Sequence, residues 1–370
     1  MLANDKNCTG CLACVNACAY NAITIKSDKI FGHLHPTINE SKCTNCHKCS
    51  KICPIINPVK FNKINECFAA FSTDEITIKH SSSGGLAYEL AKSVINNNGV
   101  VCGASYTKNC SIEHVIVKSS KNLVNLCGSK YAQSNTEKCY KQISNCLKER
   151  SVLFIGTPCQ VAGIKNYIPK NLQSNLITID LICLGVPSQT LLKNEVQEFC
   201  NMDTVNRIYF RDQKNHDLYN LKIQTTKHKT KSVSSNKSYY IKCFLESLTF
   251  RESCYECPFA HEKRLGDITL GDFWGLSASS KIKADKKNGI SAVLINSNKG
   301  ASLFSSIKDI ICSEKREITE CIAGNDRLHT PAKKNKSIIR FRKSYQKTHN
   351  LKKSYMKTFR FKYLINKVLQ

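Results

Sequence analysis

The chain has no apolar run long enough to cross a membrane. The best candidate, residues 176–187, falls short of the roughly 18–20 residues a span needs and is interrupted by Asp180. No apolar stretch precedes the first cysteine, Cys8, so no secretory leader is expected and the chain reads as cytoplasmic. There is no Walker loop, no Gly-x-Gly-x-x-Gly fingerprint and no Ser-His-Asp arrangement, which argues against P-loop nucleotide hydrolases, Rossmann dehydrogenases and triad hydrolases. The ten histidines show no metal-ligand spacing, and His33, His35, His80 and His261 read as ordinary polar residues. Acidic residues are scarce, 28 against 55 Lys and Arg, and residues 331–370 hold none at all beside 13 Lys and Arg. That segment carries almost half of the net charge of +27, leaving +14 for the rest, so a charge-driven partner is expected there.

Cysteine is abundant, with 22 residues. A disulfide scaffold would be a short secreted chain, and this one is neither short nor led by a signal. In a reducing compartment such cysteines are metal ligands, redox groups or small buried hydrophobes, and their spacing decides which. The first run is Cys8-x2-Cys11-x2-Cys14-x3-Cys18, and the second is Cys43-x2-Cys46-x2-Cys49-x3-Cys53-Pro54. Thiolates at this interval on a tight loop wrap one corner of a cubane, while the fourth cysteine turns towards the other cluster. The pattern predicts one [4Fe–4S] cluster on Cys8, Cys11, Cys14 and Cys53, and a second on Cys43, Cys46, Cys49 and Cys18. Zinc also uses paired cysteines but has no use for a third at the same interval. Residues 1–58 therefore resemble a two-cluster bacterial-type ferredoxin domain of α+β type. One departure is Ala19, where such runs usually have Pro; that residue shapes a turn and is not a ligand.

Three further segments follow. Residues 65–150 open on a strand pattern, residues 67–71, then a Ser/Gly loop at 81–85. A helix comes next, marked by Leu86, Leu90, Val94 and Ile95. Residues 151–330 begin with a buried-strand signal at 152–155, a short helix and a second strand at 176–183, a βαβ unit. The Lys- and Asn-rich stretch 212–238 reads as strands with long loops. Residues 331–370 form a basic tail. The fold class is an α/β main body, a mixed sheet with flanking helices, behind the ferredoxin-type domain.

Most of the other cysteines stand singly, and Cys67, Cys102, Cys127, Cys139, Cys146, Cys200, Cys312 and Cys321 read as core or incidental thiols. Four are placed differently. Cys159 follows a strand in Gly156-Thr157-Pro158-Cys159-Gln160, and Cys183 ends the next strand. Loops at the carboxyl ends of neighbouring parallel strands share one crevice, so these two thiols can meet. Cys254-x2-Cys257-Pro258 supplies a further hook. Spacing alone leaves a third cubane, a zinc site and two unrelated buried pairs open.

Ser81-Ser82-Ser83-Gly84-Gly85, Gly128-Ser129-Lys130-Tyr131, the Gly-Thr-Pro-Cys-Gln loop, Cys254-x2-Cys257 and the run from Gly266-Asp267 through Asp272-Phe273-Trp274-Gly275 occur in that order. Together they resemble the family of coenzyme F-420 hydrogenase/dehydrogenase beta subunits over residues 65–300. The resemblance implies FAD and a [4Fe–4S] cluster, the latter on Cys159, Cys183, Cys254 and Cys257. It also implies a ferredoxin or other redox donor. The substrate would be a small molecule, or one from a glycan pathway, since relatives often accompany cell-surface polysaccharide genes. Ser82, Ser83, Gly84 and Gly85 precede a helix, where free N–H groups suit the flavin pyrophosphate. Lys130 would place positive charge near the flavin ring as the catalytic residue. Asp267 and Asp272 cap turns or contact substrate, with capping expected for at least one. The expected function is an iron–sulfur flavoprotein oxidoreductase. The alternatives are an electron-carrier subunit without its own substrate and a zinc-stabilised binding module.

In the tail, Leu351, Tyr355, Phe359 and Tyr363 recur at every fourth position with Lys352, Lys353, Lys357 and Arg360 on other faces. Such a helix suits an anionic membrane surface, peripheral to the cytoplasm, or an acidic protein. Nucleic acid is not expected, because no recognition fold accompanies the charge. A largely solvated segment is the simplest expectation.

Overall fold

The computed structural model describes residues 2–107, 110–211, 219–227, 229–282 and 289–360. Its N-terminal module is built from two copies of one loop-helix unit. The short helices Ala13–Ala17 and Lys48–Ile52 each start from a left-handed residue, Leu12 and His47, and each ends on the fourth cysteine of its run. Gly10 and Asn45, two residues after Cys8 and Cys43, are left-handed as well. The same pair of turns therefore recurs in both loops. Leucine adopts this backbone only when its surroundings hold it there. Strands β1 (Ile23–Ser27) and β2 (Leu34–Ile38) pair antiparallel beside the helices.

The main body is an eight-stranded mixed sheet. Its strands are β3 (Glu66–Ser72), β4 (Val100–Tyr106), β5 (Ile112–Val117), β6 (Val152–Gly156), β7 (Leu176–Leu181), β11 (Ile268–Asp272), β12 (Ser291–Ile295) and β13 (Ile311–Arg316). Between β7 and β11 the chain forms a separate antiparallel sheet from β8 (Val205–Tyr209), β9 (Leu221–Thr225) and β10 (Thr230–Val233). The order in the large sheet is β13-β3-β12-β11-β7-β6-β4-β5. The four central strands β4, β6, β7 and β11 run parallel, and antiparallel strands close both sides. Val152, Leu153 and Phe154 are fully buried, as a central parallel strand covered on both faces requires. The expected strand at 67–71 is β3, and the helix after the Ser/Gly loop is Leu86–Asn96, with Leu86, Leu90 and Val94 buried. The expected strand at 176–183 stops at Leu181, which leaves Cys183 in the loop beyond it. Part of the stretch 212–238, residues 212–218 and 228, lies outside the described residues.

The C-terminal segment differs from the expectation of a solvated tail. Helices Lys336–Thr348 and Leu351–Thr358 bury Ile338, Phe341, Tyr345 and Leu351 in a core shared with Phe31, Leu191 and Tyr240. Tyr355 meets Tyr239 edge to face at 5.7 Å, so the apolar stripe is spent on the protein's own interior rather than left for a membrane. Phe31 of the N-terminal module sits 5.2 Å from the Tyr345 ring and 6.3 Å from Phe341. Arg342 and Lys334 both pair with Glu252. Composition read as polar because lysines fill the outer face, yet the inner face is apolar enough to fold. Tyr363 lies outside the described residues.

Candidate redox site

The third cysteine set is built by strand ends. β6 and β7 are parallel neighbours, with Gly156 opposite Asp180, so the loops that follow them emerge together. Thr157 caps the helix Pro158–Tyr167, Pro158 takes its first position, and the Gln160 carboxamide reaches back to accept from the Thr157 N–H at 3.0 Å. This fixes Cys159 in the first turn. Cys254 and Cys257 come from the short 3-10 turn Glu252–Glu256 and its C-cap. All four thiols line one cavity of about 40 Å3, together with Arg264 and Phe259. They interact with one another electrostatically: Cys254 with Cys257, Cys183 and Cys159, and Cys183 and Cys257 each with Cys159. Burial pushes Cys183 up to about 12 and Cys257 up to about 11, and it holds Cys254 well above the ordinary thiol value. Four thiols gathered round one small cavity are costly as thiolates unless cations compensate them, which is what cluster iron does. Among the described residues no group of three or more His, Cys, Asp and Glu side chains closes tightly on a single ion. The four thiols are spread round the cavity wall instead.

The first N-terminal set converges similarly. Cys11 and Cys14 each interact with Cys8 and Cys53, the crossed grouping that the spacing calls for, and burial pushes Cys11 up to about 12. Cys11 also interacts with Cys159, which brings the first N-terminal set and the third set next to each other. For Cys43, Cys46, Cys49 and Cys18 the repeated left-handed turns and the packing of the two short helices against each other give the matching frame.

A second cavity of about 540 Å3 opens from the third thiol set. Its walls include Ser82, Ser83, Gly85, Leu86, Lys130, His114, Cys159 and Cys183. This volume lies within the range of small-molecule and cofactor sites. Among the described residues the Ser83 hydroxyl is buried without a hydrogen-bond partner, so the wall holds an unused polar atom just before the helix Leu86–Asn96. That is the feature an anionic group would satisfy. Ser82 accepts from the Ser129 N–H at 2.7 Å, tying the two expected motifs to each other.

Two expectations need correction in their physical reason. Gly85 has φ near +81°, and an added Cβ would lie 2.8 Å from Thr77 and 3.2 Å from Ser72. It is needed for the turn and for packing against its own neighbours, and it also lines the cavity. Lys130 lines the cavity, but its Nζ donates to the carbonyls of Leu126, Cys127 and Gly128 at 2.9, 2.9 and 3.0 Å. Burial, then the charge of Arg207, lowers it to about 7. The Asp pair divides: buried Asp267 accepts from Thr178 and Ser297, whereas Asp272 lines the cavity and pairs with Arg211 at 2.6 Å. Sequence reasoning missed His114, whose ring bonds Ile155 O and Ser134 across the cavity wall; burial brings it down to about 4, so it is neutral. It also missed Arg211 and Arg251, because isolated arginines carry no spacing signal.

The fold and this site define an α/β iron–sulfur protein with a fused two-cluster domain. The sequence model described as "4Fe-4S dicluster domain" matches residues 7–55. Those described as "Coenzyme F420 hydrogenase/dehydrogenase, beta subunit" match residues 67–141 with the N-terminal part and 149–320 with the C-terminal part. The chain belongs to the family of coenzyme F420 hydrogenase/dehydrogenase beta subunits. It is 24% identical over 189 residues to a subunit of the F(420)H(2) dehydrogenase of Methanosarcina mazei, covering 48% of this chain and 53% of that protein. The chain thus spans about half the length of that curated relative. A chain of the F420-reducing [NiFe] hydrogenase complex from Methanosarcina barkeri aligns with a TM-score of 0.48 at 18% identity. That alignment covers 80% of this chain and 92% of the other.

Proposed function

We propose that the protein is an iron–sulfur flavoprotein oxidoreductase. In it, two N-terminal clusters and a third cluster on Cys159, Cys183, Cys254 and Cys257 exchange electrons with FAD in the large cavity. One observation carries this reading: Cys159 and Cys183 line both the four-thiol cavity and the large cavity, so a cluster and a flavin would share a wall. FAD supplies the conversion between one-electron transfer and two-electron chemistry on a substrate. The protein's residues supply the setting. Ser82 and Ser83 stand where a pyrophosphate would find donors, and Leu86, Leu123, Leu126 and Ile155 give an apolar bed for a ring system. The half-exposed Leu181, Leu184 and Trp274 also line the cavity and give a substrate an apolar way in. Such an entrance favours an enzyme over a carrier without a substrate.

The donor would be an acidic redox protein. Lys42, Lys48 and Lys51 are exposed round the exposed Cys46, and opposite charge steers encounter. Anaerobic purification with iron, sulfide and flavin analysis tests the assignment: about twelve iron, about twelve sulfide and one non-covalent FAD per chain are expected from three cubanes and one cavity. Colourless protein holding zinc and no sulfide would sink it. Ser83→Leu should empty the flavin while leaving the iron in place. Full flavin occupancy in that variant would move the pyrophosphate elsewhere.

A further inference from the structure

A buried arginine joins the N-terminal module to the third thiol set. Arg251 is 1% exposed and starts the turn that carries Cys254. Its Nε donates to Cys8 O at 2.6 Å, one terminal nitrogen lies 3.8 Å from Cys8 Sγ, and the other donates to Gln133 Oε1 at 3.1 Å. Gly10 leaves room for it: an added Cβ there would sit 2.8 Å from the guanidinium. Its backbone N–H donates to Val186 O at 3.0 Å and its carbonyl accepts from the Cys254 N–H at 3.0 Å, which ties it to the wall of the four-thiol cavity.

The neighbouring buried arginine provides a control. Arg264 is equally buried and also lines the four-thiol cavity, but it pairs with buried Asp180 at 2.8 Å. Arg251 has no carboxylate partner among the described residues; each acceptor it touches is neutral in the polypeptide. Burying a guanidinium without an anion is strongly unfavourable. The missing anion is therefore sought in what the neighbouring cysteines hold. A cubane on four thiolates is negative and gains one further negative charge when it accepts an electron.

We propose that Arg251 is the shared counter-cation of the first N-terminal cluster and the third cluster, a positioning residue that holds both at a higher reduction potential than their thiolates alone would give. The proposal rests on the cluster assignment above. The guanidinium touches Cys8 and its residue starts the turn that carries Cys254, so each added electron is partly neutralised at the junction the electron must cross. Arg251 makes no hydrogen bond to the second N-terminal set among the described residues, so that cluster's potential should respond least to it.

The test is a redox titration of full-length, anaerobically reconstituted protein followed by electron paramagnetic resonance. Iron and sulfide are counted first, and Cys46→Ser protein is used to assign the second cluster's signal. Arg251→Gln keeps a polar side chain without the charge, and Arg251→Lys keeps the charge without the fork. At the potential that half-reduces the wild-type first cluster, the reduced-to-oxidised ratio should fall about tenfold in Arg251→Gln, equivalent to about 59 mV for a one-electron couple. Arg251→Lys should stay nearer wild type, and the second cluster should move least. If Arg251→Gln loses its iron, Gln133→Glu puts a carboxylate against the same guanidinium and should lower the first cluster's potential. Unchanged potentials with full iron, an equal shift of all three clusters, or equal shifts in the Gln and Lys variants would overturn the proposal. Wild-type protein without the expected iron would instead overturn the cluster assignment.

Discussion

Residues 9–13 of the first cysteine loop are buried, whereas residues 44–48, the matching part of the second, are all exposed. The two loops share their turns and their cysteine spacing, so backbone geometry does not separate them. Their side chains do. The first loop carries Leu12 and Ala13 where the second carries His47 and Lys48. Full burial of a leucine contributes about 1.5–3 kcal/mol, and a lysine in the same place would have to shed its water. The first loop is then latched by polar contacts to the body: Thr136 donates to Cys11 O at 2.7 Å, Gln133 to Gly10 O at 3.2 Å, and Asn16 to Thr136 O at 3.1 Å. Cys11 lies so close to the helix Pro158–Tyr167 that a Cβ on Gly163 would come within 3.1 Å of its sulfur. A repeat that is symmetric in its ligands thus becomes polar in its placement, with one end docked on the third set and the other turned to solvent. Under the proposed function, the exposed end meets the donor and the docked end hands electrons inward.

The sharpest test substitutes matching ligands. Cys46→Ser should lose about four iron and leave the melting transition close to wild type. Cys11→Ser should lose about four iron and in addition loosen the docked face, because a hydroxyl is left in an apolar contact at a cost of about 1–3 kcal/mol. Iron analysis and an anaerobic thermal melt read both. Equal melts in the two variants would show that the docked loop is no better anchored than the free one.

The docked end is also held from the C-terminal side, through Phe31 on Phe341 and Tyr345. Phe341→Ala should therefore cost about 3–5 kcal/mol in denaturant unfolding. Exposed Lys352→Ala should stay within about 0.5 kcal/mol. A cost under about 1 kcal/mol for Phe341→Ala would mean that the helical C-terminal segment is laid on the body without anchoring it.

At the exposed end the effect should be kinetic. Reversing Lys42 and Lys48 to Glu should slow reduction by an acidic donor protein about tenfold at low salt. The difference should close at about 1 M salt, where the screening length is about 3 Å. Reduction by dithionite, which does not dock, should be unaffected. If the donor reacts equally fast with both proteins at low salt, electrons enter elsewhere.

Much of this is legible from spacing. The two matching cysteine loops, the meeting of Cys159 with Cys183 on one cavity wall and the strand-helix-strand frame round them all follow from short-range rules about loops and parallel strands. What escapes is the contribution of single residues acting at long range. Arg251 is more than 240 positions from the Cys8 it touches, and nothing in its own neighbourhood marks it. The helical tail departs from its expectation for a related reason: its lysines dominate composition, while Ile338, Phe341 and Tyr345 form a buried face only once the body supplies the opposite wall. The contrast of Leu12-Ala13 with His47-Lys48 is present in the sequence, but the ligand repeat displays only what the two loops share.

A final contrast sets exposed Lys48 at the outer end against buried Lys130 at the inner cavity. Lys130 is brought down to about 7 by burial and then by Arg207, against about 10.4 in an unfolded chain. Between those values the unfolded chain binds a proton that the folded protein does not, so stability gains from this group as pH rises. Below about pH 7 both states are protonated, and the cost of burying the charge is present in full. Lys130→Met removes the charge and keeps a flexible stem, at the fixed cost of leaving three carbonyls without their donor. Measured on flavin-free protein by denaturant unfolding, the stability of the variant relative to wild type should be most favourable below about pH 7 and decline steadily towards pH 10. Lys48→Met, made at the exposed, solvent-facing end, serves as the control for a lysine removed without disturbing a buried site. A pH-independent difference for Lys130→Met would mean that the ammonium keeps its proton throughout, its charge carried by the three carbonyls of Leu126, Cys127 and Gly128.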